Sequence, residues 1–190
     1  MRRIIGIAGA PGSGKSTLAG RVAADFQAAG GCAVVVPLDG FHLADVSLER
    51  LGLLDRKGAP ETFDPWGYLR LLERLRTTGP ETVYAPGFER TIEQPIAAAI
   101  AIEPDVELIV TEGNYLLLDT EPWVRVRSLL DERWFIDIDA EVRRSRLQRR
   151  HVAYGKSPEA AAAWVERVDE PNARLIEASR HLADRIVSGA

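Results

Sequence analysis

Eight consecutive residues near the N-terminus, Gly9-Ala10-Pro11-Gly12-Ser13-Gly14-Lys15-Ser16, fit the spacing G-x-x-x-x-G-K-[ST]. The chemistry this spacing serves is the binding of a chain of phosphates. Its glycines let the backbone amides point inward as an anion nest, beside the positive end of a following helix. Lys15 would then reach the β- and γ-phosphates and Ser16 would place its hydroxyl on Mg²⁺. Thr17 is positioned to contact the α-phosphate. These residues imply ATP, or a similar nucleotide, together with Mg²⁺. The bland alternative is a glycine-rich strand-to-helix turn with no ligand, and the complete motif in its strand-then-helix context argues against it.

Two acids complete the set that could do chemistry. Asp39, in Leu38-Asp39-Gly40-Phe41, and Glu112, in Thr111-Glu112-Gly113, each follow an apolar run. In open α/β sheets ligands sit beyond the carboxyl ends of strands, so both acids are expected to face the γ-phosphate. A carboxylate there can orient an acceptor hydroxyl, take its proton late and help hold Mg²⁺. Asp39 suits both tasks, and Glu112 stands where an acid would hold metal-bound water. Against this, Asp-Gly is a common turn pair, and a strand-end acid can simply cap a turn.

The elements that must position these residues follow from periodicity. Residues 3–8 predict a buried strand, and residues 15 to about 29 a helix closed by Gly30-Gly31. Residues 32–36 read as a second buried strand, giving a β-α-β unit and hence a parallel sheet with a right-handed crossover. Residues 41–63 look irregular. Trp66, Leu69, Leu72 and Leu75 predict a helix over 65–76. A short strand is expected near 82–85, and 96–102 could be strand or helix. Residues 107–111 and 134–138 read as strands, 121–132 as a helix, 140–152 and 158–180 as two more, and 185–187 as a last short strand. The alternation predicts an α/β doubly wound parallel sheet, one domain over 1–190, with the helices of about 140–180 as a mobile lid.

Bulk properties narrow the partners. The 190 residues are 46% hydrophobic and 27% charged, enough for a core and unlike a disordered chain. A net charge of −4 argues against chain-wide affinity for nucleic acid or an anionic membrane. No apolar stretch approaches the ~20 residues that span a bilayer. Arg2 and Arg3 before a short apolar run resemble a signal peptide, but cleavage there would destroy the phosphate motif, so export is rejected. The single cysteine, Cys32, fits a reducing cytoplasm and reads as a small core residue.

Three segments carry a resemblance to a known family: Pro37-Leu38-Asp39-Gly40-Phe41-His42, the stretch from Arg56-Lys57-Gly58 to Thr62-Phe63-Asp64, and Thr111-Glu112-Gly113-Asn114-Tyr115-Leu116-Leu117. They resemble the uridine kinase, pantothenate kinase and phosphoribulokinase family of P-loop kinases, and within it a bacterial branch described as sugar or nucleoside kinases. The resemblance spans nearly the whole chain, and the Asp-Gly-Phe-His and Glu-Gly-Asn-Tyr blocks are its selective parts. It implies a P-loop NTPase fold of the nucleoside-kinase kind with a helical lid. It makes Asp39 the catalytic base, Asp64 a holder of acceptor hydroxyls and Glu112 the acid of the Glu-Gly motif. Arg146, Arg149 and Arg150 resemble lid arginines that close on phosphates. Uridine kinases carry a tyrosine and a histidine where this chain reads Pro86-Gly87-Phe88-Glu89-Arg90, which argues against uridine itself.

Phe88, Arg90 and Tyr115 are candidates for an acceptor pocket. Phe88 reads equally as a core anchor, and Arg90 would bind an anionic group of the acceptor or pair with a surface acid. His42 would contact substrate or be solvated. Arg143, Arg146 and Arg150 share a helix face by spacing, which suits a solvated face or a set of phosphate donors. Asn172 would contact substrate or cap a helix. The expected activity is ATP- and Mg²⁺-dependent transfer of the γ-phosphoryl group to a hydroxyl of a small metabolite: a sugar, a nucleoside or a pantothenate-like compound. Competing readings are a nucleoside monophosphate kinase and an ATP-binding regulator without catalysis. No Asn-Lys-x-Asp guanine reader and no LSGGQ-like segment occurs. The chain is compatible with a homodimer.

Overall fold

The computed structural model describes residues 2–77 and 79–189. Strand β1 (Arg3–Gly9) is buried along all but its first residue, as its isoleucine-rich sequence demands. The phosphate motif follows it directly and opens α1 (Lys15–Ala28). Strand β2 (Ala33–Pro37) ends in a 3₁₀ turn, Leu38–Phe41. After α2 (Asp45–Leu51) and α3 (Pro65–Arg76) come β3 (Val83–Glu89) and β4 (Gln94–Ile102). The chain returns through β5 (Leu108–Glu112), α4 (Trp123–Ser128) and β6 (Glu132–Asp137). It finishes with α5 (Ala140–Ala153), α6 (Pro158–Trp164), α7 (Glu170–Ala178) and β7 (Arg185–Ser188).

The main sheet has the order β2-β5-β1-β6-β7 and every neighbouring pair is parallel. Central strands covered on both faces must be apolar throughout. On one face Ile5, Ile7 and Val110 pack against Ala19 and Ala23 of α1. On the other, Leu69, Leu72 and Leu75 of α3 join Ile4, Ile109 and Phe135 in the larger core. The α/β fold of the sequence reading holds.

Several local expectations need correction. The stretch expected as one short strand is a separate antiparallel hairpin, β3–β4, and 96–102 is strand. The irregular region holds α2, and the helix expected over 121–132 is only α4. The helix expected over 158–180 is interrupted by a π-helical stretch, Val165–Asp169. Beyond that break, Ala173 and Ile176 of α7 are buried in the body. The stretch of about 140–180 expected as a lid thus comprises α5, α6, the π-helical stretch and α7. Cys32 is half-buried against the core rather than enclosed by it.

Candidate active site

Three strand ends converge. In the parallel register Ile7 of β1 and Pro37 of β2 both pair with Glu112, so the phosphate loop, the Asp39 turn and Glu112 leave the sheet in one layer. Two glycines permit this crowding. A Cβ on Gly113 would lie 2.5 Å from Cβ of Leu38, and one on Gly40 would lie 2.3 Å from the Pro86 carbonyl oxygen. The glycines after Asp39 and Glu112 thus serve close approach of backbone to neighbour, which the motif spelling alone does not reveal.

Within the loop, Lys15 is buried and its Nζ donates to the Ala10 carbonyl at 3.0 Å. Ser16 Oγ donates to Glu112 Oε1 at 2.8 Å. Asp39 Oδ2 accepts from Arg90 Nη2 at 2.7 Å, and the Asp39 carbonyl lies 2.9 Å from His42 Nδ1. The His42 ring is sandwiched, with centroids 3.9 Å from Phe63 and 4.9 Å from Phe88. Lys15, Ser16, Asp39, Arg90, Glu112 and Arg150 all line one cavity of about 540 Å³.

The two acids titrate apart. Burial raises Glu112 above the ordinary carboxylate range, and the charge of Asp39 adds to it. Burial also pushes on Asp39, but His42, Arg90, Lys15 and Arg150 outweigh it and hold Asp39 below its ordinary value. The surroundings thus shift the two carboxyls in opposite directions, Asp39 down and Glu112 up.

The cavity does not gather every residue the sequence nominated. His42 and Phe88 line it, as do Pro11, Gly12, Gly14 and Thr17. Gly9 ends β1 and Ala10 accepts from Lys15. Ser13 is buried within the loop. Arg146 stands instead at a second cavity of about 370 Å³, with Ser13, Thr17 and Val187–Gly189. Tyr115 is fully buried in the core, its hydroxyl donating to the Gly58 carbonyl at 2.5 Å, because the chain turns inward after Asn114. Asp64 is exposed and caps α3, accepting from the Gly67 amide at 2.8 Å. The Asp-Pro pair at a helix start carried that signal in the sequence. Arg149 is exposed, with its Nε on the Ser145 carbonyl. Sequence reasoning missed Lys57, Asn114, His151 and Asp169 as cavity walls. His151 Nε2 lies 2.8 Å from Asp169 Oδ2, joining α5 to the π-helical stretch.

The model of the phosphoribulokinase/uridine kinase family matches residues 4–189. The chain belongs to this family. An ATP-dependent kinase-like protein of Aspergillus versicolor is 41% identical over 133 residues, covering 66% of this chain and 77% of the relative. A candidate uridine kinase of Schizosaccharomyces pombe is 33% identical over 184 residues, 93% of this chain and 78% of the relative. Among solved structures, a candidate fructose transport system kinase from Silicibacter sp. TM1040 superposes with a TM-score of 0.90 at 41% identity, covering 98% of this chain and 89% of that one. The chain is therefore a kinase of this family, built for ATP-dependent phosphotransfer. Among the described residues no helix is long and apolar enough to cross a membrane.

Proposed function

We propose that this kinase transfers the γ-phosphoryl group of ATP to a hydroxyl of a small metabolite, with Asp39 as the group that takes the hydroxyl proton. One observation carries the reading: an ionised carboxylate, Asp39, shares a single cavity with the phosphate-loop lysine. A monophosphate acceptor would need no such base. In the transfer, the bond from the γ-phosphorus to the β–γ bridging oxygen breaks and a bond to the acceptor oxygen forms. The acceptor proton passes to Asp39, and the leaving group is ADP. Lys15 and Arg150 balance the phosphate charge. The second cavity, between Arg146 and Val187–Gly189, is of a size and position to take the nucleotide base. The name of the Silicibacter neighbour favours a sugar among the acceptors.

The residues suit Mg²⁺. Among the described residues no cluster of three or more His, Cys, Asp or Glu could cage a metal. Ser16 and Glu112, with Asp39 nearby, instead offer a few hard oxygens, the donor set of an ion that keeps waters and phosphate oxygens as its other ligands. Bound there, the ion would neutralise charge on the phosphates.

The test is an ATP-consumption screen over sugars, nucleosides, pantothenate and nucleoside monophosphates, with product mass measured. An alcohol phosphate as product is expected. Turnover of monophosphates with none of any alcohol would overturn the proposal.

Lys15 supplies an independent check on the donor side. Burial lowers its ammonium from 10.5 to about 8, against the attraction of Glu112 and Asp39. Between those values the empty folded protein holds fewer protons than the unfolded chain, so this residue's contribution to stability rises with pH across the window. Bound phosphates favour the charged form again. ATP binding should therefore take up a proton above about pH 8, and affinity should fall as pH rises. Titration calorimetry in two buffers of different ionisation enthalpy reads the uptake, and Lys15→Met should abolish it.

A further inference from the structure

The Arg90–Asp39 pair is a built feature of the cavity. The β3–β4 hairpin delivers Arg90, and its backbone rests on the turn that carries Asp39, where Gly40 leaves no room for a Cβ beneath Pro86. The hairpin tip is tethered to α2 and the loop after it. Lys57 Nζ donates to Asp45 Oδ1 at 2.6 Å and to the Glu93 carbonyl, and the Asp45 amide donates to Gln94 Oε1 at 3.1 Å. The guanidinium carbon of Arg90 lies 5.6 Å from the centroid of Phe88. Both partners are part-exposed, Arg90 at 38% and Asp39 at 26%, and both line the cavity.

Only Nη2 of Arg90 is used by Asp39; Nε and Nη1 find no acceptor among the described residues. A guanidinium only donates and an ionised carboxylate only accepts. An incoming molecule thus meets an acceptor oxygen and unused donors side by side, with the pair itself closed at 2.7 Å. The reacting hydroxyl gives its proton to Asp39. Arg90 is left to donate to a second oxygen close to the first. Two oxygens on neighbouring carbons, in a gauche arrangement, are close enough together for one to face Asp39 and the other the guanidinium beside it.

We infer that the acceptor is a 1,2-dioxygenated compound, a vicinal diol or an α-hydroxy acid, and that Arg90 selects it by donating to the oxygen next to the reacting hydroxyl. This rests on the alcohol-kinase reading above. An isolated alcohol covers the donors of Arg90 without pairing them, and sites built to hydrogen-bond a group reject analogues lacking it.

Matched pairs test it: glycerol against 1,3-propanediol, and D-glycerate against 3-hydroxypropionate, followed by the best acceptor of the screen against its analogue lacking the neighbouring oxygen. ATP consumption and product mass are measured for the wild type, Arg90→Lys and Arg90→Gln, with a nucleotide titration to show that each variant folds and binds ATP. The dioxygenated member should be preferred by about tenfold or more in kcat/KM. That preference should shrink to about threefold or less in Arg90→Gln and be partly kept in Arg90→Lys, which retains donors without the fork. Equal turnover within the pairs, or a preference that survives Arg90→Gln, would overturn the inference while leaving the alcohol-kinase reading intact. Transfer to monophosphates alone would remove both.

Discussion

Asp39→Asn should abolish most phosphoryl transfer while leaving nucleotide binding near normal. The substitution keeps the shape and one hydrogen-bond acceptor for Arg90, but removes the charge and the proton acceptor. General-base removal costs on the order of 10²–10⁴ in rate, and that range is expected in kcat for the acceptor found by the screen. Nucleotide affinity should change little, because the proposed phosphate contacts come from the loop, Lys15 and Arg150 rather than from Asp39. The pH dependence gives a second readout. His42, Arg90, Lys15 and Arg150 hold Asp39 below the ordinary carboxylate range, so the base remains ionised, and the wild-type rate should not fall through its protonation, until pH drops beneath that range. Arg90→Gln removes one of those charges and should move the acid limb to higher pH. Near-normal transfer by Asp39→Asn would remove Asp39 from the role of base.

How much of this was legible without coordinates depends on how local each feature is. The phosphate loop is written in eight adjacent residues, because an anion nest is made by consecutive amides. Asp39 and Glu112 were found because a parallel sheet sends all its strand ends to one edge, so knowing the strands is enough to know their neighbours. Arg90 shows where that logic stops. Its candidate partners included a surface acid, and the structure gives it the cavity acid instead. That pairing depends on how a hairpin outside the main sheet seats on the Asp39 turn. β4 hides itself as well: Gln94–Ile102 is a run of apolar residues with no clear period, so strand and helix look alike. Tyr115 misled for a related reason. It sits three residues past an acid of the cavity, but nearness in sequence does not set direction, and its ring points into the core. The single helix expected over 158–180 was overdrawn because the π-helical break at Val165–Asp169 leaves no mark in composition.

Glu170→Ala should be the most destabilising single change at the contact between α5 and α7. Arg143 of α5 is 1% exposed, and its Nη2 donates to Glu170 Oε1 at 2.5 Å. Nε and Nη1 of Arg143 are buried with no partner among the described residues. Arg144 Nη2 adds a contact of 3.1 Å to the other oxygen of Glu170. The Arg143 carbonyl and Leu147 lie against Gly12, whose Cβ would come within 3.1 Å and 2.9 Å of them. The ion pair therefore fastens to α7 a helix whose backbone and Leu147 also lie against the phosphate loop. Removing the acid leaves a buried guanidinium without a counter-charge, a loss of roughly 3–5 kcal/mol. For a domain of this size that is a fall in Tm on the order of 10 °C. The acid limb of stability should report the same pair. Burial opposes the ionised form of Glu170, but Arg144 and Arg143 override it and hold its carboxyl below the ordinary glutamate range. Its contribution is present at neutral pH and is lost as pH falls through that depressed value. The double change Arg143→Met with Glu170→Leu should recover most of the loss, since it removes both charges and the two unpartnered donors together. Urea and thermal unfolding of the wild type and the two variants measure this. A Glu170→Ala protein within about 1 kcal/mol of wild type, a size ordinary for surface changes, would show that α5 is held by its apolar contacts alone.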